Sequence, residues 1–356
     1  MNNVYDMKRS KSALDEILRV CRRKGPILVL TQNNPDPDAL ASAAAFKELI
    51  SERLHKRTEI AYGGVCGRAE NRAMIDILRI GAKQTTTERV AGFNTVCLVD
   101  TQPGAGNNVI AADQEVDIIV DHHPVRRRPR NRGLFRDIRD NYGATATILY
   151  EYLLAAELKV TGNLATALFY GIQSDTQDLG RDAGPADVSA FQELFQAADK
   201  KKLSRIRRAP VPPSYFHMLY QSIETCEIAA RTAVSMIRFC NAPDMIAEVA
   251  DLMSRLKGVR SSVCYGLCEG RIYISVRTAD ARCNAGHRMK RVVRRLGTGG
   301  GHRTMAGGQV PFEGDPDRRL ALVRARILEV FAPRATPAAL IGKDEGLREE
   351  SERRRC

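Results

Sequence analysis

Four short aliphatic and β-branched runs, each followed by a stretch with helical spacing, constrain the fold of this 356-residue chain more than any other feature. The runs are ILVL (27–30), TEIAYG (58–63), NTVCLVD (94–100) and VDIIVD (116–121), and the helical stretches lie near 40–54, 70–79, 143–156 and 162–173. A strand covered on both faces is apolar throughout, and parallel strands need a crossover long enough to hold a helix. The alternation therefore predicts an α/β domain, a parallel sheet with helices on both faces.

The strand signal stops after residue 186, where ADVSAFQELFQAADKKKLSRIRRAPVPPSYFHML is helical, then basic, then proline-rich, as a connector is. A second pattern follows. It has a helix at 244–256, strands at 261–268 and 271–277 around a Glu-Gly turn, a helix at 284–296, a glycine-rich loop at 297–308 and a helix at 316–331. The predicted division is a parallel-sheet domain over 1–190, a helical and proline-rich connector over 191–225, a smaller α/β domain over 226–332, and a charged tail over 333–356 with too little to bury for an ordered fold.

No apolar run is long enough to span a bilayer, and MNNVYDMKRSKSALDEIL lacks the apolar segment and cleavage site of a secretory signal, so a cytoplasmic protein without a membrane partner is expected. The nine cysteines are odd in number and scattered, several of them within apolar runs, which suits reduced thiols in that compartment. CYGLC, with Cys264 and Cys268, has no second pair and no nearby histidine, and so is not read as a zinc site. Lys and Arg outnumber Asp and Glu by 55 to 42, and the net charge of +13 points to an anionic partner: nucleotide, nucleic acid or polyphosphate.

The chemistry collects where strands or helices end. TQNNPDPDAL places Asp36 and Asp38 between the first strand and a helix with small residues at its start. CLVDTQPG supplies Asp100, IIVDHHP supplies Asp121, His122 and His123, and FYGIQSDTQDLGR supplies Asp175. Open α/β sheets bind ligands outside the carboxyl ends of their strands. A lone Asp at such a place is commonly a cap or turn former. Together, however, so many carboxylates cannot share a dry cleft without partners. The four charges of Asp36, Asp38, Asp100 and Asp175 match two divalent ions, with His122 as a neutral nitrogen ligand, an arrangement that can activate water and clamp a phosphoryl group.

In these motifs the chain resembles DHH-family phosphoesterases with a DHH-associated C-terminal domain, a group of RecJ-like exonucleases, short-oligoribonucleotide nucleases and cyclic-di-AMP phosphodiesterases. The resemblance runs from about residue 20 to about 330. It implies that Asp36 and Asp38 in NPDPDALAS bind different metals, that Asp100 bridges them, and that His122 and Asp175 are further ligands. His123 would contact the scissile phosphate, and Asp121 would hold the histidines from behind. In the C-terminal domain it implies a substrate loop of Gly299, Gly300, Gly301 and His302, followed by MAGG, and a phosphate-gripping Arg277 in ISVRT. Two positions depart from the family. Gln32 stands where a histidine ligates the metal held by Asp36, and an amide oxygen is the poorer ligand, so that metal would be held more weakly, through water, or lost. Met305 stands where the family has a small residue, which would reshape the base pocket.

The expected enzyme is a metal-dependent phosphoesterase using two divalent ions, manganese first and magnesium or cobalt as alternatives, with its active site in the cleft between the two domains. Expected substrates are short oligoribonucleotides or linear dinucleotides, with 3′-phosphoadenosine 5′-phosphate as a second substrate. A cyclic di-AMP phosphodiesterase is the rival within the class. A catalytically weakened nucleotide or nucleic-acid binder, marked by Gln32, is the rival outside it. After the DHH tripeptide, PVRRRPRNRGLFRDIRD sets Arg126, Arg127, Arg128, Arg130 and Arg132 in one loop, either a solvated face or a phosphate guide. The expected partner is a short RNA or nucleotide substrate, and a homodimer is left open.

Overall fold

The computed structural model describes residues 4–111, 113–125, 134–268, 270–301, 303–312 and 314–341. The chain divides into two compact units, Met1–Pro210 and Val211–Cys356.

The first unit contains α1 (Met7–Cys21), β1 (Ile27–Leu30), α2 (Pro37–Leu54), β2 (Thr58–Tyr62), α3 (Ala69–Leu78), β3 (Ala82–Gln84), α4 (Thr87–Val90), β4 (Thr95–Val99), β5 (Ile118–Asp121), β6 (Phe135–Ile138), α5 (Thr145–Ala155), α6 (Gly162–Asp175), α7 (Pro185–Ala197) and α8 (Lys200–Arg207). Its strands form one six-stranded sheet in the order β3-β2-β1-β4-β5-β6, and every pair is parallel. The four apolar runs are its four central strands. The edge strands β3 (AKQ) and β6 (FRDI) are short and polar enough to carry no apolar run, and sequence reading passed over both. Helix α1 escaped too, although Ala13, Leu14, Ile17, Val20 and Cys21 bury one face of it at helical spacing.

Register aligns the strand ends. Leu30 pairs with Leu98 across β1 and β4, and Val99 pairs with Val120 across β4 and β5. The chain therefore leaves the sheet at nearly one level after β1, β4 and β5. Between β1 and β4 the strand order reverses, which opens the crevice where such sheets bind ligands. Helix α2 fits beneath that crevice because its first turns are small: Ala39, Ala41, Ser42, Ala43 and Ala45 are all buried. Gly171 of α6 meets this surface so closely that a Cβ there would lie 3.2 Å from the Asp38 Cα and 3.0 Å from the Ala41 Cβ. One helical turn further on is Asp175. The small residues thus set the distance between two carboxylates.

The second unit contains α9 (Pro213–Glu224), β7 (Glu227–Ala229), β8 (Thr232–Phe239), α10 (Pro243–Met253), β9 (Ser261–Cys268), β10 (Arg271–Thr278), α11 (Ala285–Val292), β11 (Thr298–Gly301), β12 (Met305–Pro311), α12 (Pro316–Phe331) and β13 (Ala338–Ala339). Its mixed sheet runs β11-β12-β10-β9-β8-β7-β13, with β8 and β9 parallel and the other neighbours antiparallel. The stretch expected as a glycine-rich loop is instead a strand pair, in which Gly299 faces Gly308 and Gly300 faces Gly307. The reason is steric. A Cβ at Gly299 would lie 2.9 Å from the Met289 Cγ and one at Gly308 2.5 Å from its Sδ, so the bare backbone seats helix α11 on the hairpin. Strands β7 and β8 were not foreseen, and in the segment read as a tail Ala338–Ala339 adds an edge strand to β7. No described helix is long and apolar enough to cross a membrane.

Candidate metal centre

Asp36 and Asp38 are placed by the start of α2. Asp36 is its N-cap, accepting from Ala39 N at 3.0 Å, and Pro37 occupies the first turn, where a missing N–H costs nothing. Asp38 is buried and accepts from the backbone N–H groups of Thr145 and Ala146, both at 2.8 Å. Those donors belong to the first turn of α5, where helix N–H groups have no partner within the helix. Asp100, just past β4, takes a left-handed backbone with φ of 60°, which Asp tolerates better than most residues and which sets it apart from the extended strand behind it. Its Oδ1 accepts the Thr145 hydroxyl at 2.9 Å.

His122 follows β5. Its Nδ1 lies 3.1 Å from the Tyr142 carbonyl oxygen, and a carbonyl only accepts, so Nδ1 carries the proton. Its Nε2 is buried, 3.2 Å from Asp175 Oδ2 and 3.7 Å from Asp100 Oδ1, without the geometry of a hydrogen bond to either. Asp175 ends α6, with its Oδ1 accepting from Arg181 Nη2 at 2.8 Å. One ligand atom each from Asp38, His122 and Asp175 lies within 4.8 Å of the other two, and the same holds for Asp100, His122 and His123. Both groups are built from hard oxygen and imidazole donors, the set that suits manganese- or magnesium-like and zinc-like cations. A buried imidazole lone pair aimed at carboxylates is repulsive unless a cation or a proton lies between, so the residues fit a divalent ion.

Asp121 stands behind the histidines. It accepts from His123 Nδ1 at 2.8 Å, from the His123 backbone N–H at 3.1 Å and from Gln102 Nε2 at 2.7 Å. Burial works against its charge, but the bonded His123 imidazole holds Asp121 below the usual carboxylate range. Asp175 is treated alike: burial raises it, and the His122 ring and then the Arg181 guanidinium bring it below its ordinary value. Elsewhere burial wins. Burial and the Asp175 charge push Asp38 up to about 8, and burial with the Asp38 charge drives Asp100 well above its ordinary range. Asp36 is raised by burial and by Asp175. Burial opposes a charged His122 ring, yet Asp175 and Asp38 push it up to about 10. Without a metal the cluster thus makes up its missing positive charge with protons, and a cation would displace them.

Gln32 does not point its amide oxygen into the cluster. Its Nε2 donates to Asp36 Oδ2 at 2.9 Å, and its Oε1 accepts from Asn107 Nδ2 at 3.2 Å. Asn107 Oδ1 in turn accepts from the Thr101 hydroxyl at 2.8 Å, which accepts from Asn108 Nδ2 at 2.9 Å. All four bonds donate in one direction and end on the Asp36 carboxylate, so the loop after β4 feeds a chain of donors onto that acid.

The structure thus gathers Asp38, Asp100, His122, His123 and Asp175, with Asp121 behind them and Asp36 tied to Gln32. Arg277, Gly299, Gly300 and Gly301 lie in the second unit. Arg277 is engaged by Asp251, through Nη2 at 3.3 Å among other contacts, and donates from Nη1 to Ser275 Oγ at 2.9 Å and the Val276 carbonyl at 3.0 Å. Arg126, Arg127 and His302 lie outside the described residues. Sequence reading missed Thr145, Tyr142, Gln102 and Arg181. Gln102 and Arg181 sit within the quoted CLVDTQPG and FYGIQSDTQDLGR, so nearness to an acid was the one signal available. Tyr142 acts through its backbone carbonyl and Thr145 through both its N–H and its hydroxyl, all placed by the fold.

Fold and site together define an α/β protein with a carboxylate–imidazole centre at the switch point of a parallel sheet. Residues 26–172 match the model for the DHH family, N-terminal domain, and residues 230–329 match the DHHA1 domain. The chain belongs to the DHH family. It is 33% identical over 322 residues to the uncharacterized protein MJ1633 of Methanocaldococcus jannaschii, covering 87% of this chain and 65% of that one. Over 150 residues it is 29% identical to a probable manganese-dependent inorganic pyrophosphatase of Enterococcus faecalis, covering 42% of this chain and 48% of that one. The chain therefore spans less than two thirds of the length of these relatives. Among solved structures, an exopolyphosphatase-related protein from Bacteroides fragilis shares the fold with a TM-score of 0.64 at 13% identity, covering 90% of this chain and 96% of that one.

Proposed function

We propose that this chain is a metal-dependent phosphoesterase that hydrolyses short oligoribonucleotides or linear dinucleotides, with 3′-phosphoadenosine 5′-phosphate as a second substrate. The observation that carries it is the buried Nε2 of His122, facing Asp175 and Asp100 with its other nitrogen already committed to a carbonyl. Two divalent ions, manganese by preference, would be held by Asp36, Asp38, Asp100, His122 and Asp175, and when bound they lower the pKa of water and neutralise phosphoryl charge. Asp100 is fixed for that work by Thr145, and Asp38 by the first turn of α5. His123, tethered through Nδ1 to Asp121, is half exposed and is the group we assign to the scissile phosphate, where it stabilises developing negative charge. Arg277 and the hairpin of Gly299, Gly300 and Gly301 are assigned to the rest of the substrate, with Arg277 exchanging Asp251 for a phosphate. The net charge of +13 supports an anionic substrate, and the pyrophosphatase relative supports chemistry at phosphorus.

A second reading rests on Gln32. With its amide donating to Asp36 rather than ligating, the chain would bind nucleotides with weakened hydrolysis. One assay separates the two. Purified chain with manganese is offered a 5′-phosphorylated diribonucleotide, cyclic di-AMP, 3′-phosphoadenosine 5′-phosphate and pyrophosphate, beside Asp100→Ala. Hydrolysis of the diribonucleotide ahead of the others, lost in the variant, is expected. Preference for cyclic di-AMP or pyrophosphate would replace the substrate assignment. No hydrolysis of any, or equal hydrolysis by the variant, would overturn the enzyme reading, and saturable binding without turnover would favour the second one.

A further inference from the structure

A buried polar network lies on the far side of the turn that carries the Tyr142 carbonyl. Arg139, at the end of β6, has a side chain with no exposed surface. It donates from Nη1 to Glu151 Oε2 at 2.7 Å, from Nη2 to Asp137 Oδ2 at 2.8 Å and from Nη2 to Ser10 Oγ at 2.9 Å. The Tyr142 hydroxyl donates to the other oxygen of Glu151 at 2.7 Å, and the Ser10 hydroxyl donates to Glu151 Oε2 at 2.6 Å. Charges balance locally, since Arg9 also bonds Asp137, from Nε at 2.9 Å.

The same few residues hold the centre through their backbone. Arg139 N donates to the Asp121 carbonyl at 3.0 Å, Tyr142 N donates to the Arg139 carbonyl at 3.1 Å, and the Tyr142 carbonyl accepts from His122 Nδ1. The next residue is anchored as well, Gly143 N donating to Asp187 Oδ2 at 2.8 Å. The turn between β6 and α5 is therefore pinned by side chains on one side while its carbonyl fixes the histidine on the other. We propose that Tyr142, held by Glu151 and Arg139, is a positioning residue for His122: the network keeps the carbonyl on Nδ1 and so keeps Nε2 turned toward Asp100 and Asp175. None of the side chains in this network is assigned to metal or substrate, and a buried ion network by itself is weak evidence of stability.

The inference rests on a metal centre at His122, and its test reads the histidine as well as the metal. Tyr142→Phe removes the hydroxyl but keeps the backbone. Tyr152→Phe is the control: its hydroxyl belongs to the same network, donating to Asp137 Oδ2 at 2.6 Å, and has no bond to Glu151 or to Tyr142 among those described. In metal-free intact protein, exchange of the His122 Nδ1 proton with solvent is followed by nitrogen-15 NMR, and manganese affinity is measured by calorimetry. Tyr142→Phe is expected to speed exchange and weaken manganese binding, each about tenfold. Tyr152→Phe is expected to leave both within about twofold even where its melting temperature falls as far. Equal effects in the two variants, or none in Tyr142→Phe, would overturn the proposal. If the wild type takes up no manganese, the functional reading fails instead, and the exchange comparison still decides this one.

Discussion

Gln32 donates its side-chain amide to Asp36 at 2.9 Å, and so presents a hydrogen where a ligand would present a lone pair. Replacing it by histidine supplies an imidazole nitrogen beside the same acid and breaks the donor chain from Asn107. Gln32→His is expected to tighten manganese binding about tenfold or to add a bound ion per chain, read by calorimetric titration. Unchanged affinity and stoichiometry would show that the amide serves as well as an imidazole.

Thr145 joins two ligands, since its backbone N–H goes to Asp38 and its hydroxyl to Asp100. Thr145→Val keeps the shape and the N–H but leaves Asp100 Oδ1 without that donor. The expected loss is about 10- to 100-fold in manganese-dependent turnover, with folding intact by circular dichroism. Turnover at the wild-type level would remove Thr145 from the site.

The two kinds of residue in that pair show what sequence can carry. Asp36, Asp38, Asp100, the DHH tripeptide and Asp175 were legible because each follows an apolar run that burial forces to be a strand or helix, and because acids and histidines are chemically conspicuous there. Thr145 reaches Asp38 through its N–H and Tyr142 reaches His122 through its C=O, groups that every residue has, and the Thr145 hydroxyl meets Asp100 only because of where α5 starts, so the register of β5 and β6 and the start of α5 are what reveal them. The glycines at 299–301 misled in the other direction. Glycine suggests a loop through its backbone freedom, whereas here the missing Cβ of Gly299, like that of Gly308 opposite it, makes room for Met289. The sheet edges β3 and β6 and the amphipathic α1 were lost for the opposite reason, being too short or too polar to rise above their surroundings.

Gly171 sets the separation of α6 from α2 and hence of Asp175 from Asp38. A β-branched side chain would crowd the helix pair, because even its Cβ would press on Ala41 at 3.0 Å and on Asp38 and the Pro37 carbonyl at 3.2 Å. Gly171→Val is expected to cost about 1–3 kcal/mol by overpacking and to weaken manganese binding at the same time. Thermal denaturation with and without manganese measures both. A variant that melts lower but gains as much from manganese as the wild type would separate packing from the site.

The raised groups give the metal effect a pH dependence of definite sign. Asp38 is pushed to about 8 and His122 to about 10 in the metal-free centre. Between their ordinary and raised values, the folded chain keeps protons that the unfolded chain has released, so both groups make folding less favourable as pH rises. The His122 contribution is whole below its ordinary value near 6.5 and is lost as pH climbs through about 10. A bound cation takes the place of those protons. The gain in melting temperature on adding manganese is therefore expected to be larger near about pH 8.5 than near about pH 6. A gain that is equal at both, or larger at the lower pH, would mean that these groups do not titrate against the metal.

Calorimetric titration of manganese into the metal-free chain, beside Asp175→Asn, tests whether this cluster is a metal centre at all. Saturable binding accompanied by proton release is expected in the wild type, weakened about a hundredfold or more in the variant. An absence of saturable binding in the wild type, or equal binding by the variant, would contradict it.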